Sequence, residues 1–171
     1  YYLPGGGILQ IGAFDKEFTD YILTRQQLAP AARIPDFTLV KLQTFSTVND
    51  AWARGVQAAY HQQFSMLPGW LKGFGIESNV TLVDSHIEEY DAATSSTGRA
   101  EFGLLPGTAK TTANAAGFYE AHGAELRLSM QYVGRQLFTL GGSKAEDTID
   151  DERTTLDFAA SYRFTPMWQV Y

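Results

Sequence analysis

Four acidic side chains close together in the sequence are the first candidates for chemistry. Asp147, Asp150, Asp151 and Glu152 could supply the oxygen ligands that Ca²⁺ takes in proteins. Their spacing lacks the Asp-x-Asp-x-Asp-Gly pattern of a calcium loop. A solvated acidic loop therefore explains the cluster better than a metal site, and no metal ligand is assigned to it.

Other residue types that support catalysis form no recognisable motif. The histidines His61, His86 and His122 are far apart and lack the spacing of a metal site. The segment 141–144 (Gly-Gly-Ser-Lys) lacks the full pattern of a phosphate-binding loop, and no Gly-x-Ser-x-Gly motif is present. Because the chain has no cysteine, a disulfide framework and a cysteine nucleophile are excluded. The sequence thus predicts a protein that is not an enzyme and that needs no cofactor.

Composition limits the class of protein further. Hydrophobic residues make up 44% of the 171 positions and charged residues 19%, which is not the composition of a disordered tail. No apolar run approaches the roughly 18–20 residues of a membrane-spanning helix. The net charge of −6 argues against a nucleic-acid partner. No signal peptide is visible in the first residues, so we expect either a mature protein or a fragment.

The elements that carry these residues are predicted to be strands, because hydrophobicity repeats every second residue. Residues 124–133 show this period most clearly, and residues 74–82, 112–120 and 156–163 repeat it. In the first segment one face would carry Leu126, Leu128, Met130 and Tyr132, and the other Glu125, Arg127, Ser129 and Gln131.

Three further stretches are predicted to be strands. One runs from about residue 7 to Thr24, and a last one begins at Met167. Residues 38–64 form either a hairpin broken near Asn49 or, as we prefer, one very long strand with a bulge between Asn49 and Gly55. The fold class is therefore all-β, with about seven antiparallel strands.

The connections between these strands alternate in length. Three are short and built on Gly and Pro, at residues 66–73, 121–123 and 165–166. Three are long and polar, at residues 26–37, 86–111 and 139–153. Transmembrane β-barrels show this asymmetry, with the short turns in the periplasm. The alternation of faces alone also fits a soluble β-sandwich, which would bury the apolar face in a core.

Several segments, taken in order, resemble the barrel of TonB-dependent receptors. Two features depart from the family pattern around Val48–Gln57: Gln57 replaces the usual Glu, and the spacing around the Ala is shifted by one or two residues. The similar segments are 7–16 (GILQIGAFDK), 48–57 (VNDAWARGVQ), 67–75 followed by 79–81, 105–107 followed by 112–114 and 119–120, and 156–166.

This resemblance implies a segment of an antiparallel transmembrane β-barrel of about 22 strands in a Gram-negative outer membrane. The chain would supply about seven strands, without the plug domain, the TonB box or the closing strand, since Met167–Tyr171 is too short for the last of these. The implied partners are a small-molecule solute, the plug domain of the same protein, the TonB complex through the N-terminal region, and outer-membrane lipid.

The resemblance also assigns roles to particular side chains. In such receptors the outer loops and the plug recognise the solute, so the loop residues Tyr90, Arg99 and Phe102 are candidate ligand contacts. Trp70, beside a periplasmic turn, would anchor the wall at the membrane interface. The polar strand faces would line the lumen, with the candidates Glu77, Asn79, Thr81, Asn114, Glu120, Arg127, Gln131, Asp157 and Arg163.

The implied function is uptake of a scarce solute, such as a siderophore, cobalamin or an oligosaccharide, by TonB-driven rearrangement of the plug. A soluble, lectin-like β-sandwich is the alternative, and a passive porin is a third hypothesis. The first two differ in where the face with Leu126, Leu128 and Met130 points: to lipid in a barrel, to a core in a sandwich.

Overall fold

A computed structural model of the chain describes residues 1–3, 5–30, 39–48, 51–87, 105–141, 147–165 and 167–171. In these ranges no helix has the length and apolar character that crossing a membrane requires. The described residues contain one short 3-10 helix, Gly69–Gly73. In chain order their strands are β1 (Tyr2–Leu3), β2 (Gly7–Phe18), β3 (Tyr21–Pro30), β4 (Leu39–Val48), β5 (Ala51–Gln63), β6 (Phe74–Ile87), β7 (Thr111–Ala121), β8 (Ala124–Val133), β9 (Gln136–Gly141), β10 (Thr148–Asp150), β11 (Arg153–Thr165) and β12 (Trp168–Val170).

Eight strands form one antiparallel sheet, which we call the main sheet, in the order β1-β2-β5-β6-β7-β8-β11-β12. Six of them are long, with 10 to 14 residues each. A tilted transmembrane strand needs about 9–11 residues, so each long strand can cross a bilayer. Across the described part of the chain, β1 and β12 are the outer strands of this sheet and do not pair with each other. The predicted all-β class and antiparallel barrel segment are confirmed.

One end of the main sheet carries the tight connections, and we call it the short-turn end. His122 and Gly123 join β7 to β8 with φ angles of 53° and 79°, the left-handed pair that a two-residue hairpin needs. Gly5 and Gly6, with φ of 83° and 86°, turn the chain from β1 into β2. No sequence pattern predicted β1, because two residues are too few to show a period.

We call the opposite end of the main sheet the long-loop end. More residues form strands there than predicted. A second sheet, in the order β10-β9-β3-β4, lies beyond β2 and β5. Residues 26–30, 139–141 and 148–150 belong to it, so placing them in loops was wrong. The polar run in β3 (Thr-Arg-Gln-Gln) has no alternation that would mark it as a strand. Residues 31–38, 88–104 and 142–146 of the predicted loops lie outside the described residues.

The structure divides both long strands predicted for this region: the stretch from about residue 7 to Thr24 contains β2 and the start of β3, and the stretch over residues 38–64 contains β4 and β5 instead of the one strand we preferred. β2 pairs with β5, and beyond them β3 pairs with β4 from Tyr21–Val48 to Pro30–Leu39. On one side β2 ends at Phe18 and β3 begins at Tyr21, and on the other β4 ends at Val48 and β5 begins at Ala51. Gly55, where the predicted bulge was to end, instead lies in a regular ladder between Phe14 and Val83.

A small apolar core joins the two sheets at the long-loop end. The Leu105 N–H donates a hydrogen bond to Ser85 Oγ at 3.0 Å, and the Gly107 N–H donates to the Leu137 carbonyl at 2.7 Å. These bonds hold the segment before β7 against the sheet. The core consists of Ala51, Ile87, Leu105 and Leu137, with Phe18 and Tyr21 packed against it.

Gly55 is required by close packing and not by a bulge. A Cβ at this position would overlap the Leu82 carbonyl oxygen and the Phe14 ring. A Cβ at Gly117, in β7, would meet nothing within 4 Å. The two glycines are therefore a matched pair: Gly117 has room for a side chain, and Gly55 has none.

We predict that Gly55→Ala lowers the free energy of unfolding by about 1–3 kcal/mol, because the backbone and the Phe14 ring must move apart. Gly117→Ala should change it by less than about 1 kcal/mol. Urea titration of the full-length protein in detergent, followed by tryptophan fluorescence, measures both. Equal losses in the two variants would contradict the packing explanation.

Candidate functional site: the polar face of the main sheet

The register of the main sheet gives all of its long strands one shared polar surface, which we call the polar face. Residues paired across antiparallel strands point to the same side of a sheet. Asn79 pairs with Asn114, Asn114 with Gln131, and Gln131 with Thr155. Followed in this way, the register places on one face all nine side chains predicted to line a lumen: Glu77, Asn79, Thr81, Asn114, Glu120, Arg127, Gln131, Asp157 and Arg163.

Four amides form a row at one height of the polar face. We call Gln10, Asn79, Asn114 and Gln131 the amide row; Ala59 separates the first two. Asn114 Nδ2 donates a hydrogen bond to Asn79 Oδ1 at 2.9 Å. The side chains of Gln10 and Gln131 have no hydrogen-bond partner among the described residues. The row therefore keeps unused donors and acceptors at both ends.

A charged cluster lies next to the amide row, toward the short-turn end. Arg127 donates a hydrogen bond to Glu77, and His61 Nδ1 lies 3.8 Å from the same carboxylate. The His61 ring stacks on Phe118, with centroids 5.7 Å apart. Asp157 has no ion-pair or hydrogen-bond partner within the described ranges. The sheet thus compensates the charge of Glu77 internally and leaves that of Asp157 uncompensated.

An open hollow of about 630 Å³ lies on the polar face beside these groups. This volume is within the range of about 300–1,000 Å³ that small-molecule sites occupy. The polar groups in its lining can hydrogen-bond to water or to a polar solute. Half of the residues that line the hollow are the amide row together with His61, Glu77, Arg127 and Asp157.

The remaining predicted residues of the polar face lie away from the hollow. Glu120 is directly opposite Glu125 beside the tight turn, and Ser161 Oγ lies 3.1 Å from Glu125 Oε2. Arg163 reaches Gln169 of the last strand at 3.5 Å. Thr81 lies one row toward the long-loop end. These side chains are on the predicted face but do not join the amide row.

The opposite surface, the apolar face, exposes large hydrophobic side chains. Leu128 is 55% exposed and Phe158, its cross-strand neighbour, is 69% exposed. Ile11 on β2 is 79% exposed. A water-soluble monomer rarely exposes such a continuous apolar surface. This face therefore requires an apolar environment.

Different side chains bound the apolar face at its two ends. At the short-turn end, Phe74 contacts Trp70 and Tyr119, with ring centroids 5.7 and 4.8 Å apart. At the long-loop end, Arg54 Nε pairs with Asp15 Oδ1 at 2.8 Å, and its guanidinium lies 4.8 Å from the Trp52 ring centroid. The apolar surface is thus a band between an aromatic boundary, which includes Trp70, and an ionic one.

The loop candidates Tyr90, Arg99 and Phe102 lie outside the described residues. Of the acidic cluster near the end of the chain, Asp151 pairs with Arg135 at 3.0 Å, and Asp150 accepts a hydrogen bond from Gln136 at 3.2 Å. Across the described ranges, no group of three or more His, Asp or Glu side chains is arranged to hold a metal ion.

Sequence reasoning missed two members of the site, Gln10 and His61. Both lie on strands with few polar side chains at alternate positions, so their faces could not be assigned without knowing the neighbouring strands. A signal was present in β5, where Gln57, His61 and Gln63 are all at odd-numbered positions. Only the register shows that this odd-numbered side faces the same way as Glu77.

Comparison with known proteins gives one match. The family model described as TonB dependent receptor-like, beta-barrel matches residues 1–171, the whole chain. Searches of the curated proteins and of the solved structures gave no match.

We predict that the pair Arg127 and Glu77 contributes a coupling of about 0.2–1 kcal/mol to folding, because both side chains are about half exposed. Urea unfolding of the full-length protein carrying Arg127→Gln, Glu77→Gln or both closes a double-mutant cycle. The coupling should shrink at about 1 M salt, where the screening length is about 3 Å.

The neutral pair Asn79 and Asn114 is the matched control for this cycle. Asn79→Ala, Asn114→Ala and the double variant should give a coupling that salt leaves unchanged. A coupling between Arg127 and Glu77 that is equally insensitive to salt would show that it does not arise from charge.

Proposed function

The chain belongs to the TonB-dependent receptor β-barrel family, and we propose that it forms part of the wall of a receptor that imports a scarce solute by TonB-driven active transport. Members of this family are outer-membrane receptors and transporters. The observation that supports the proposal best is the pairing of a polar face with a bounded apolar face on six strands of membrane-spanning length.

The dimensions of the apolar face agree with this assignment. On β6 it runs from Phe74 to Leu82, followed by Asp84. Eight steps of about 3.3 Å make about 26 Å along the strand, or about 20 Å along the membrane normal at a tilt of about 40°. Outer-membrane barrels have an apolar band about 25 Å tall with aromatic girdles. Trp70, Phe74 and Tyr119 then lie at the periplasmic boundary, and Asp15 with Arg54 at the outer one.

In this proposal the polar face lines the lumen and hydrates it. The plug domain and the region that contacts TonB belong to other parts of the receptor, and the outer loops together with the plug select the solute. Siderophores, cobalamin and oligosaccharides are the solute classes that the family relation suggests. The protein moves the solute without chemical change, so it is not an enzyme.

Because this chain lacks cysteine, single cysteines can report which face meets water. In outer-membrane vesicles containing the full-length receptor, a water-soluble maleimide should label Gln131→Cys and should not label Met130→Cys. The two positions are adjacent on β8 and at the same depth, but on opposite faces. Any cysteine elsewhere in the receptor is replaced first.

Membrane fractionation discriminates between the competing folds. In a soluble β-sandwich the apolar face is a core and the polar face is the outer surface, so the labelling pattern would be the same but the protein would not fractionate with membranes. Labelling of Met130→Cys in intact vesicles, at a rate equal to that of Gln131→Cys, would refute the membrane orientation. Denaturation in urea should expose both positions and equalise their labelling.

The transport function is tested on the full-length receptor expressed with its own leader. We predict that it fractionates with outer membranes and that its gel mobility shifts on boiling, as expected for a closed barrel. Solute accumulation by cells should stop when TonB is deleted, which separates active uptake from passage through a passive porin. Uptake that persists without TonB would reject the proposed mechanism.

A further inference from the structure

We propose that the amide row binds a neutral, hydroxyl-rich solute, which in chemical class is a carbohydrate. This inference rests on the proposed function, because it requires the polar face to line the path of the solute. It goes further by naming the solute class that this part of the wall recognises.

The chemistry of the amide row fits neighbouring hydroxyl groups. A side-chain amide offers two donors and one acceptor with two lone pairs, so it can bond to hydroxyls that themselves both donate and accept. Within the row only Asn79 and Asn114 bond to each other, through one donor and one acceptor. Gln10 and Gln131 keep their full capacity toward a ligand.

The row is also extended, as an oligosaccharide is. Gln10 lies on β2 and Gln131 on β8, four strand spacings apart in the main sheet. At about 4.8 Å per spacing, the row spans about 19 Å. A single small ion would use one position in such a row, whereas a chain of sugar units would contact several amides at once.

The charges around the row favour a neutral ligand. The hollow contains the carboxylates of Glu77 and Asp157 and the guanidinium of Arg127. Arg127 already pairs with Glu77, so the negative charge of Asp157 remains. An anionic solute would be repelled by this excess, whereas a hydroxyl group can donate to the Asp157 carboxylate in a charge-assisted hydrogen bond.

The lining of the hollow also includes an aromatic ring, that of His61. Phe118 and His61 stack in parallel planes, with an interplanar angle of 16°. His61 lines the hollow and presents a ring next to the polar groups. An aromatic ring beside amides matches a sugar, which has C–H groups on its faces and hydroxyls on its edges.

The test uses purified full-length receptor in detergent and titration calorimetry with maltohexaose, cellohexaose and xylohexaose, with ferric citrate as an anionic comparison. At least one neutral oligosaccharide should bind, and ferric citrate should not. Gln131→Ala and Asn114→Ala should each weaken that binding about three- to tenfold, the effect of losing one neutral hydrogen bond. Gln131 has no partner in the sheet, so its replacement should leave folding unchanged.

Gln63→Ala is the matched control, since Gln63 is an exposed amide on the polar face outside the hollow. Its affinity for the oligosaccharide should equal that of the unsubstituted receptor. The proposal is overturned if no oligosaccharide binds to a receptor that still shows the heat-dependent mobility shift, an outcome that leaves the transporter function standing. It is also overturned if Gln131→Ala binds normally but its urea midpoint falls, because the amides would then contact the plug instead.

Discussion

The continuous backbone ladder from β2 to β11 is the constraint on which the rest of this structure depends. The four inner long strands, β5 to β8, pair with a neighbour on both sides, so their backbone donors and acceptors are satisfied within the sheet. The ladder also fixes the register, and a slip of one residue would turn every side chain to the other face. The unbroken pairing from Asn79 through Asn114 to Gln131 is what keeps one side polar and the other apolar.

Glycines and aromatic rings stabilise this register on the polar face. Phe14 lies across Gly55 on the neighbouring strand, and Phe118 lies across Gly75. Each ring fills the space that a side chain on the glycine would occupy. Phe118 is consequently only 8% exposed, although it lies on a face whose other members are mostly polar. The ring then offers His61 its stacking partner, so packing that secures the register also shapes the site.

The sequence predicts the features that follow from alternation along one strand. It does not predict those that follow from the pairing of one strand with another. Strong alternation in β6, β8 and β11 predicted both the strands and the members of their polar face. β3 was extended too little, because a hairpin beyond the apolar band needs no apolar side and so shows no period. Gln10 and His61 were missed, because membership of the site is decided by cross-strand register and not by spacing along the chain. Gly55 showed that a glycine in a strand can mean close packing as well as a bulge.

The pattern of charges on the polar face favours weak contacts that can be made and broken. An ion pair between the wall and a group packed against it would be harder to release than a neutral hydrogen bond, because charge-assisted hydrogen bonds are roughly twice as strong. Here the pair of Arg127 and Glu77 closes within the sheet, and the row beside it consists of neutral amides. Each neutral hydrogen bond contributes only about 0.5–1.5 kcal/mol and is readily exchanged with water. A surface of this kind holds a solute or a protein segment through several weak contacts, which can be released one at a time.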